Sequence, residues 1–303
     1  MNKVIRIGTR DSELALWQAK TVQNALEKLG HKTELLPVKS TGDLNLEQPL
    51  YEMGITGIFT KTLDVAMLTG KIDIAVHSMK DVPTALPKGI VEAAVLKRAN
   101  SKDVLIHKGL DFLDADGTIA TGSLRRKAQW LNKYPTHRSV DLRGNVNTRI
   151  QKLENSDWNG AIFAAAGLER INLTPENSLD LDWMIPAPAQ GAMLVVAMEN
   201  DTETREVLKA LNHRDSEICV HIEREFLKVL EGGCTAPIGA LATIEGNEIS
   251  FKAALFSLDG KKQISIERKI SIEEASGFGK ECALKVLNNG GKVLMEGIKV
   301  ALN

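Results

Sequence analysis

Short apolar runs alternate with helical spacing through the first hundred residues. Residues 4–7 predict a strand, after which Leu14, Trp17, Val22, Leu26 and Leu29 recur at helical intervals. Asp11 or Ser12 caps that helix and Gly30 stops it. A second strand is expected at 33–38. A polar, Gly-containing stretch at 40–57 precedes a helix from about 59 to 69, ended by Gly70, and then the apolar run 72–76. Strands joined by crossover helices imply a mostly parallel sheet.

From residue 118 the pattern restarts, with strands at 118–120, 139–142 and 161–165 and helices at 124–131 and 146–153. The two halves also match in their first turn. IGTRDSELA and IATGSLRRKA each run from a strand end through Thr to a Ser able to cap the next helix. Ligands of open α/β sheets sit beyond the carboxyl ends of the strands, where helix N-termini attract anions. Two such ends facing each other would form a cleft suited to an anion.

Past residue 215 the style changes. A helix at 215–230 runs into Gly232-Gly233, and strands follow at 238–244, 248–257 and 263–269, with turn signals at Glu245-Gly246-Asn247 and Asp259-Gly260. Helices near 272–288 and 292–301 close the chain. The expected fold is therefore two similar doubly wound α/β lobes around a cleft, like the lobes of type II periplasmic binding proteins, plus a small α+β C-terminal domain with an antiparallel sheet. The expected boundaries are 1–98 with 192–213, then 99–191, then 214–303.

Composition narrows the function. Lys and Arg total 38 against 39 Asp and Glu, and 4% aromatic residues leave few rings to stack on nucleic-acid bases, so no nucleic-acid partner is expected. Near-neutrality conceals an uneven distribution. Between 121 and 152, eight cations (Arg125, Arg126, Lys127, Lys133, Arg138, Arg143, Arg149, Lys152) meet one acid, Asp141, a local charge of +7. A solvated helix face would explain such a run; so would an internal anion site, because five of the eight are Arg, whose planar fork suits carboxylate. Cys219, Cys234 and Cys282 form neither a C-x-x-C pair nor a zinc pattern. Neither a disulfide framework nor a metal is expected. The N-terminus lacks a signal-peptide apolar core and no stretch approaches a membrane span, so the expected location is the cytoplasm, with no membrane partner.

Three places could carry chemistry. In IDIAVHSMKDVP, residues 72–83, a buried strand runs out into His77, Ser78, Lys80 and Asp81, and Pro83 blocks continuation. Read alone, a Lys-Asp pair at a strand end is usually a turn with a surface ion pair, and a lone histidine a satisfied structural one. The second constellation is Thr121, Ser123, Arg125 and Arg126 with Arg143, Asn145 and Arg149. Arginines in a first helical turn oppose the macrodipole, so a bound anion would relieve the conflict. Arg10 stands at the matching turn of the first lobe. The third is EGGCTAP at 231–237, where two glycines put Cys234 on an exposed loop.

Taken together, HSMKDVP, GSLRRKAQ with LRGNVNTRI, PAPAQGAM and EGGCTAPIGA resemble, in order and spacing, the hydroxymethylbilane synthase (porphobilinogen deaminase) family over residues 3–290. That resemblance implies a transferase that condenses four porphobilinogen molecules head to tail, releasing ammonia each time, on a dipyrromethane cofactor. Cys234 matches the cysteine that holds this cofactor as a thioether, and Asp81 the catalytic aspartate. Arg10, Ser12, Lys80, Thr121, Ser123, Arg125, Arg126, Arg143, Asn145 and Arg149 fall at carboxylate-binding positions. Gln18, Asp43, Phe59, His77, Ser78, Gln190 and Gly191 fall along the cleft or its loop. A chain of six rings carries twelve carboxylates, which suits a basic lining. A monomer with porphobilinogen as its small-molecule partner is implied. One departure stands out: the family's loop L-x-K-x-G-G-K-G-L-F reads here with Glu52 and Thr56 in place of both lysines, although Phe59 and Lys61 remain. A binding protein without catalysis is the competing reading, since the two-lobed architecture serves both.

Overall fold

The computed structural model describes residues 3–38, 60–230 and 236–302; Asp43, Glu52, Thr56, Phe59 and Cys234 lie outside them. In chain order, β1 (Ile5–Thr9), α1 (Glu13–Lys28), β2 (Thr33–Pro37), α2 (Lys61–Leu68), β3 (Ile74–Ser78) and β4 (Ile90–Val95) come first. Then follow β5 (Asp103–His107), β6 (Thr118–Ala120), α3 (Leu124–Lys133), β7 (Arg138–Val140), α4 (Val146–Glu154), β8 (Gly160–Ala164), α5 (Ala165–Arg170) and β9 (Ser178–Asp180). The chain continues with β10 (Met193–Met198), α6 (Thr202–Leu208) and α7 (Arg214–Val229), and ends in β11 (Ile238–Glu245), β12 (Glu248–Phe256), β13 (Gln263–Ser271), α8 (Phe278–Val286) and α9 (Lys292–Leu302).

The described chain divides into two compact units, and Gly191–Glu217 returns to the first after Asn100–Gln190 has entered the second. In the first unit the sheet order is β2-β1-β3-β10-β4. Helix α1 buries Ala19, Val22 and Leu26, a stripe at helical intervals, against Ile5, Ile7, Ile74, Val76 and Val195. Strands β1, β2 and β3 are parallel, as the crossover pattern predicts, but β10 runs antiparallel to both β3 and β4. The sheet is thus mixed. MLVVAM is an apolar run with five of its six residues buried, and such runs carry no mark of strand direction.

The second unit repeats the order as β7-β6-β8-β5-β9, with β5 antiparallel to its neighbours. In both sheets the reversed strand is the one where the chain has just changed sheets. The third sheet, β11-β12-β13, is antiparallel throughout. Its core stacks Phe226, Phe251 and Phe278 edge to face at centroid distances of 5.5 and 5.8 Å. The single helix expected near 272–288 is instead a short turn, Ile272–Glu274, capped by Ser271, and then α8; Gly277 separates them with φ of 73°.

Within the second unit this sheet is fastened to the α/β lobe. The Ala240 amide donates to the Pro186 carbonyl at 2.9 Å, and Asn132 donates to the Gly260 carbonyl at 2.7 Å. Gly260 is required at that contact: its φ is 74°, and a Cβ there would fall 2.4 Å from the Ala128 carbonyl oxygen. Fully buried Glu223 on α7 accepts from the amides of Ala189 at 2.6 Å and Ala242 at 2.8 Å. Ala189 sits at φ 62°, a left-handed conformation costing on the order of 1 kcal/mol or more, which the Glu223 bond helps offset. Among the described residues, no helix is long and apolar enough to cross a membrane.

Candidate active site

In the first unit β3 emerges into a single turn, Met79–Asp81. Met79 is fully buried, its amide donates to the Ala192 carbonyl at 3.0 Å, and buried Val82 closes the turn onto the Met79 carbonyl at 3.2 Å. Apolar anchors on both sides therefore hold Lys80 and Asp81, each half-buried, at the carboxyl end of the strand. A hollow there is lined by Arg10, Ser12, Gln18, His77, Ser78 and Asp81, together with Thr60. Arg10 and Ser12 come from the β1–α1 turn, where Ser12 caps α1 by accepting from the Ala15 amide at 3.4 Å. Gln18, one turn into α1, donates through Nε2 to the Ser78 hydroxyl at 2.9 Å. Residues far apart in sequence are thus brought into one hollow, and of the expected group in this unit only Lys80 and Gly191 stand outside its lining among the described residues.

His77 is buried and has its pKa lowered from 6.5 to about 4, first by burial and second by the Arg10 charge. It is neutral at pH 7. Because the folded-state value is depressed, the associated stability is fully present above about pH 6.5 and is lost as pH falls towards 4, on the order of 3 kcal/mol in all. We expect the urea midpoint to drop from pH 7 to pH 5 by more in the wild-type protein than in His77→Gln. Equal drops would remove His77 as the source.

In the second unit Ser123 caps α3 by accepting from the Arg126 amide at 3.4 Å, repeating the Ser12 arrangement of the first. Buried Thr121 accepts from the Ser123 amide at 3.3 Å, and Gly122 passes so close to β7's exit that a Cβ would lie 2.5 Å from the Leu142 carbonyl oxygen. Asn145 caps α4 by accepting from the Thr148 amide at 2.9 Å; Arg149 Nε donates to the Gly144 carbonyl at 2.7 Å. Arg143 is buried, and burial lowers its pKa.

Arg125 and Arg126 are also buried, and here the structure departs from the sequence-based picture. Their counter-ion is built in: Asp103, fully buried at the start of β5, receives Arg125 at 2.7 and 3.1 Å and Arg126 Nε at 2.8 Å. Burial pushes the Asp103 carboxyl up, but the two guanidinium groups outweigh it and hold it well below the usual carboxylate range. The macrodipole conflict posed by the first-turn arginines is met by this carboxylate. Local charge counting missed it because Asp103 lies 22 residues upstream of Arg125. Gln190 is likewise buried, donating to the Ser101 carbonyl at 2.8 Å and to Asp103 at 3.0 Å, while Gly191 takes φ of 86°. Both are joints in the backbone path between the units.

A family model described as porphobilinogen deaminase, dipyromethane cofactor binding domain, matches residues 5–206, and one described as porphobilinogen deaminase, C-terminal domain, matches 217–288. The porphobilinogen deaminase of Chloroherpeton thalassium is 41% identical over 294 residues, 93% of this chain and 94% of that one. That of Desulforamulus reducens is 40% identical over 306 residues, 99% of each. Among solved structures, a probable amino-acid ABC transporter extracellular-binding protein from Bacillus subtilis aligns with TM-score 0.44 and 13% identity over 70% of this chain and 90% of that one. A periplasmic substrate-binding protein of an ABC transporter from Coxiella burnetii gives TM-score 0.44 and 16% identity over 69% and 92%. Matched by both domain models and by relatives of equal length at about 40% identity, the chain belongs to the porphobilinogen deaminase family.

Proposed function

We propose that the protein is a hydroxymethylbilane synthase, condensing four porphobilinogen molecules head to tail with loss of ammonia and releasing linear hydroxymethylbilane by hydrolysis. The observation that carries this reading is the hollow of the first unit, where one half-buried carboxylate, Asp81, stands among Arg10, Ser12, Gln18 and Ser78. Arg10 and the Ser12 hydroxyl suit the acetate and propionate groups of the substrate, and Gln18, already fixed on Ser78, retains its amide oxygen for a pyrrole N–H. Asp81, placed at the ring N–H, stabilises the positive charge that develops as the aminomethyl nitrogen departs. It also holds the proton released when the new carbon–carbon bond forms, and that proton balances the one taken up by the departing amine. One ammonia leaves per ring.

The second unit's donors fit a dipyrromethane. Ser123, Arg143, Asn145 and Arg149 are the donor types that carboxylates require, and the buried Nε of Arg125 has no hydrogen-bond partner among the described residues. Those residues would hold the cofactor's acetates and propionates, with Cys234 as its point of attachment. When bound, the dipyrromethane supplies the pyrrole carbon on which the product grows. The same reading makes the protein a cytoplasmic monomer. Glu52 and Thr56, which replace the family's loop lysines, alter affinity for porphobilinogen or its elongation without removing activity.

Purified protein given porphobilinogen tests this directly. The expected products are a linear tetrapyrrole and four ammonia per tetrapyrrole; protein that binds porphobilinogen yet forms no detectable tetrapyrrole is a binder, and the proposal fails.

A further inference from the structure

We propose that Asp103 is a positioning residue for ligand carboxylates: one buried carboxylate sets the guanidinium planes of Arg125 and Arg126 in the orientation in which the second unit takes up its ligand. This rests on the function proposed above and assigns a role to a residue that none of the motifs contains. Asp103 opens β5 and the arginines open α3, so the contact joins a strand end to a helix start. Both carboxylate oxygens are used. Oδ2 receives Arg125 Nη1 at 2.7 Å, while Oδ1 receives Arg125 Nη2 at 3.1 Å, Arg126 Nε at 2.8 Å and Gln190 Nε2 at 3.0 Å.

Backbone carbonyls hold the far sides. Arg125 Nη1 donates to Ile185 at 2.8 Å and Arg126 Nη1 to Ile162 at 2.9 Å. Neither guanidinium can rotate without losing a bond at each end.

Stability does not account for this arrangement. Desolvating three charged groups costs about as much as their pairing returns, and well-packed apolar residues of the same volume serve a core as well or better. What the network confers is orientation. Arg125 Nε, buried and without a partner among the described residues, shows that the orientation leaves a donor to spare. An acceptor from outside the chain would satisfy it, and the carboxylate-rich ligand proposed above offers one.

Two substitutions separate positioning from structure. Asp103→Glu keeps the charge and lengthens the side chain by one methylene, which displaces both guanidinium groups. Asp103→Asn keeps the shape and removes the charge. Each is made in cells that produce porphobilinogen and read in three ways: the fraction carrying the dipyrromethane mass increment, the thermal melt, and KM against kcat. For Asp103→Glu we expect a cooperative melt with a loaded fraction about tenfold lower, or KM about tenfold higher at nearly unchanged kcat, the loss typical of one displaced charge-assisted hydrogen bond. Asp103→Asn should load less still. A folded Asp103→Glu with wild-type loading and wild-type KM overturns the proposal, and it decides alone if the Asn variant fails to fold. Unsubstituted protein that neither loads nor turns over porphobilinogen overturns the function itself, an outcome seen without any variant.

Discussion

Asp81→Asn lowers turnover by about 10²–10⁴-fold, the range for removing a positioned acid–base group, while the protein stays folded and still carries its dipyrromethane. The amide has the shape of the carboxylate, and the turn does not depend on its charge. Met79 and Val82 anchor that turn through buried side chains and through main-chain bonds of 3.0 and 3.2 Å. Substrate binding is expected to survive, because Arg10, Ser12 and the Gln18–Ser78 pair stand on other elements. The loss therefore falls on kcat rather than KM. Steady-state kinetics with porphobilinogen check this, and near-wild-type kcat would take the catalytic role away from Asp81.

Cys234→Ala removes the mass increment of one dipyrromethane and takes tetrapyrrole formation below detection. The chain offers no substitute thiol: Cys219 and Cys282 are both buried in the apolar core packed on the third sheet, and burial pushes the Cys282 thiol up, away from the reactive thiolate. Intact-protein mass of the wild-type and variant proteins, expressed side by side, gives the answer. An increment that persists in the variant would place the attachment elsewhere.

The site was legible in the sequence where a local rule governs it. Ser12 and Ser123 are caps because a hydroxyl before a helical stripe satisfies an orphan amide, and both cap as expected. The turn that displays Asp81 follows from a buried strand meeting Pro83. Arg125 and Arg126 were legible as cations in a first turn, but their surroundings were not. Their acid comes from β5, and neither that strand nor β4 or β10 has a pattern that distinguishes it from other short apolar runs. Gln190 and Gly191 are buried and bonded to Ser101, Asp103 and Ala99, partners that the PAPAQGAM motif around them does not reveal.

By itself the sequence determined helices α1 to α4, α7 and α9, the parallel strands, the antiparallel third sheet and, through four motifs in order, the family. These follow from each residue's neighbours along the chain, where caps, turns and periodicity act. Only the tertiary structure decided that a late strand enters the first sheet reversed, that the first-turn arginines of α3 close on Asp103, and that His77 stays neutral. Strand pairing and desolvation depend on neighbours in space, and Val195 meets Val76 across more than a hundred residues of chain that carry no record of the contact.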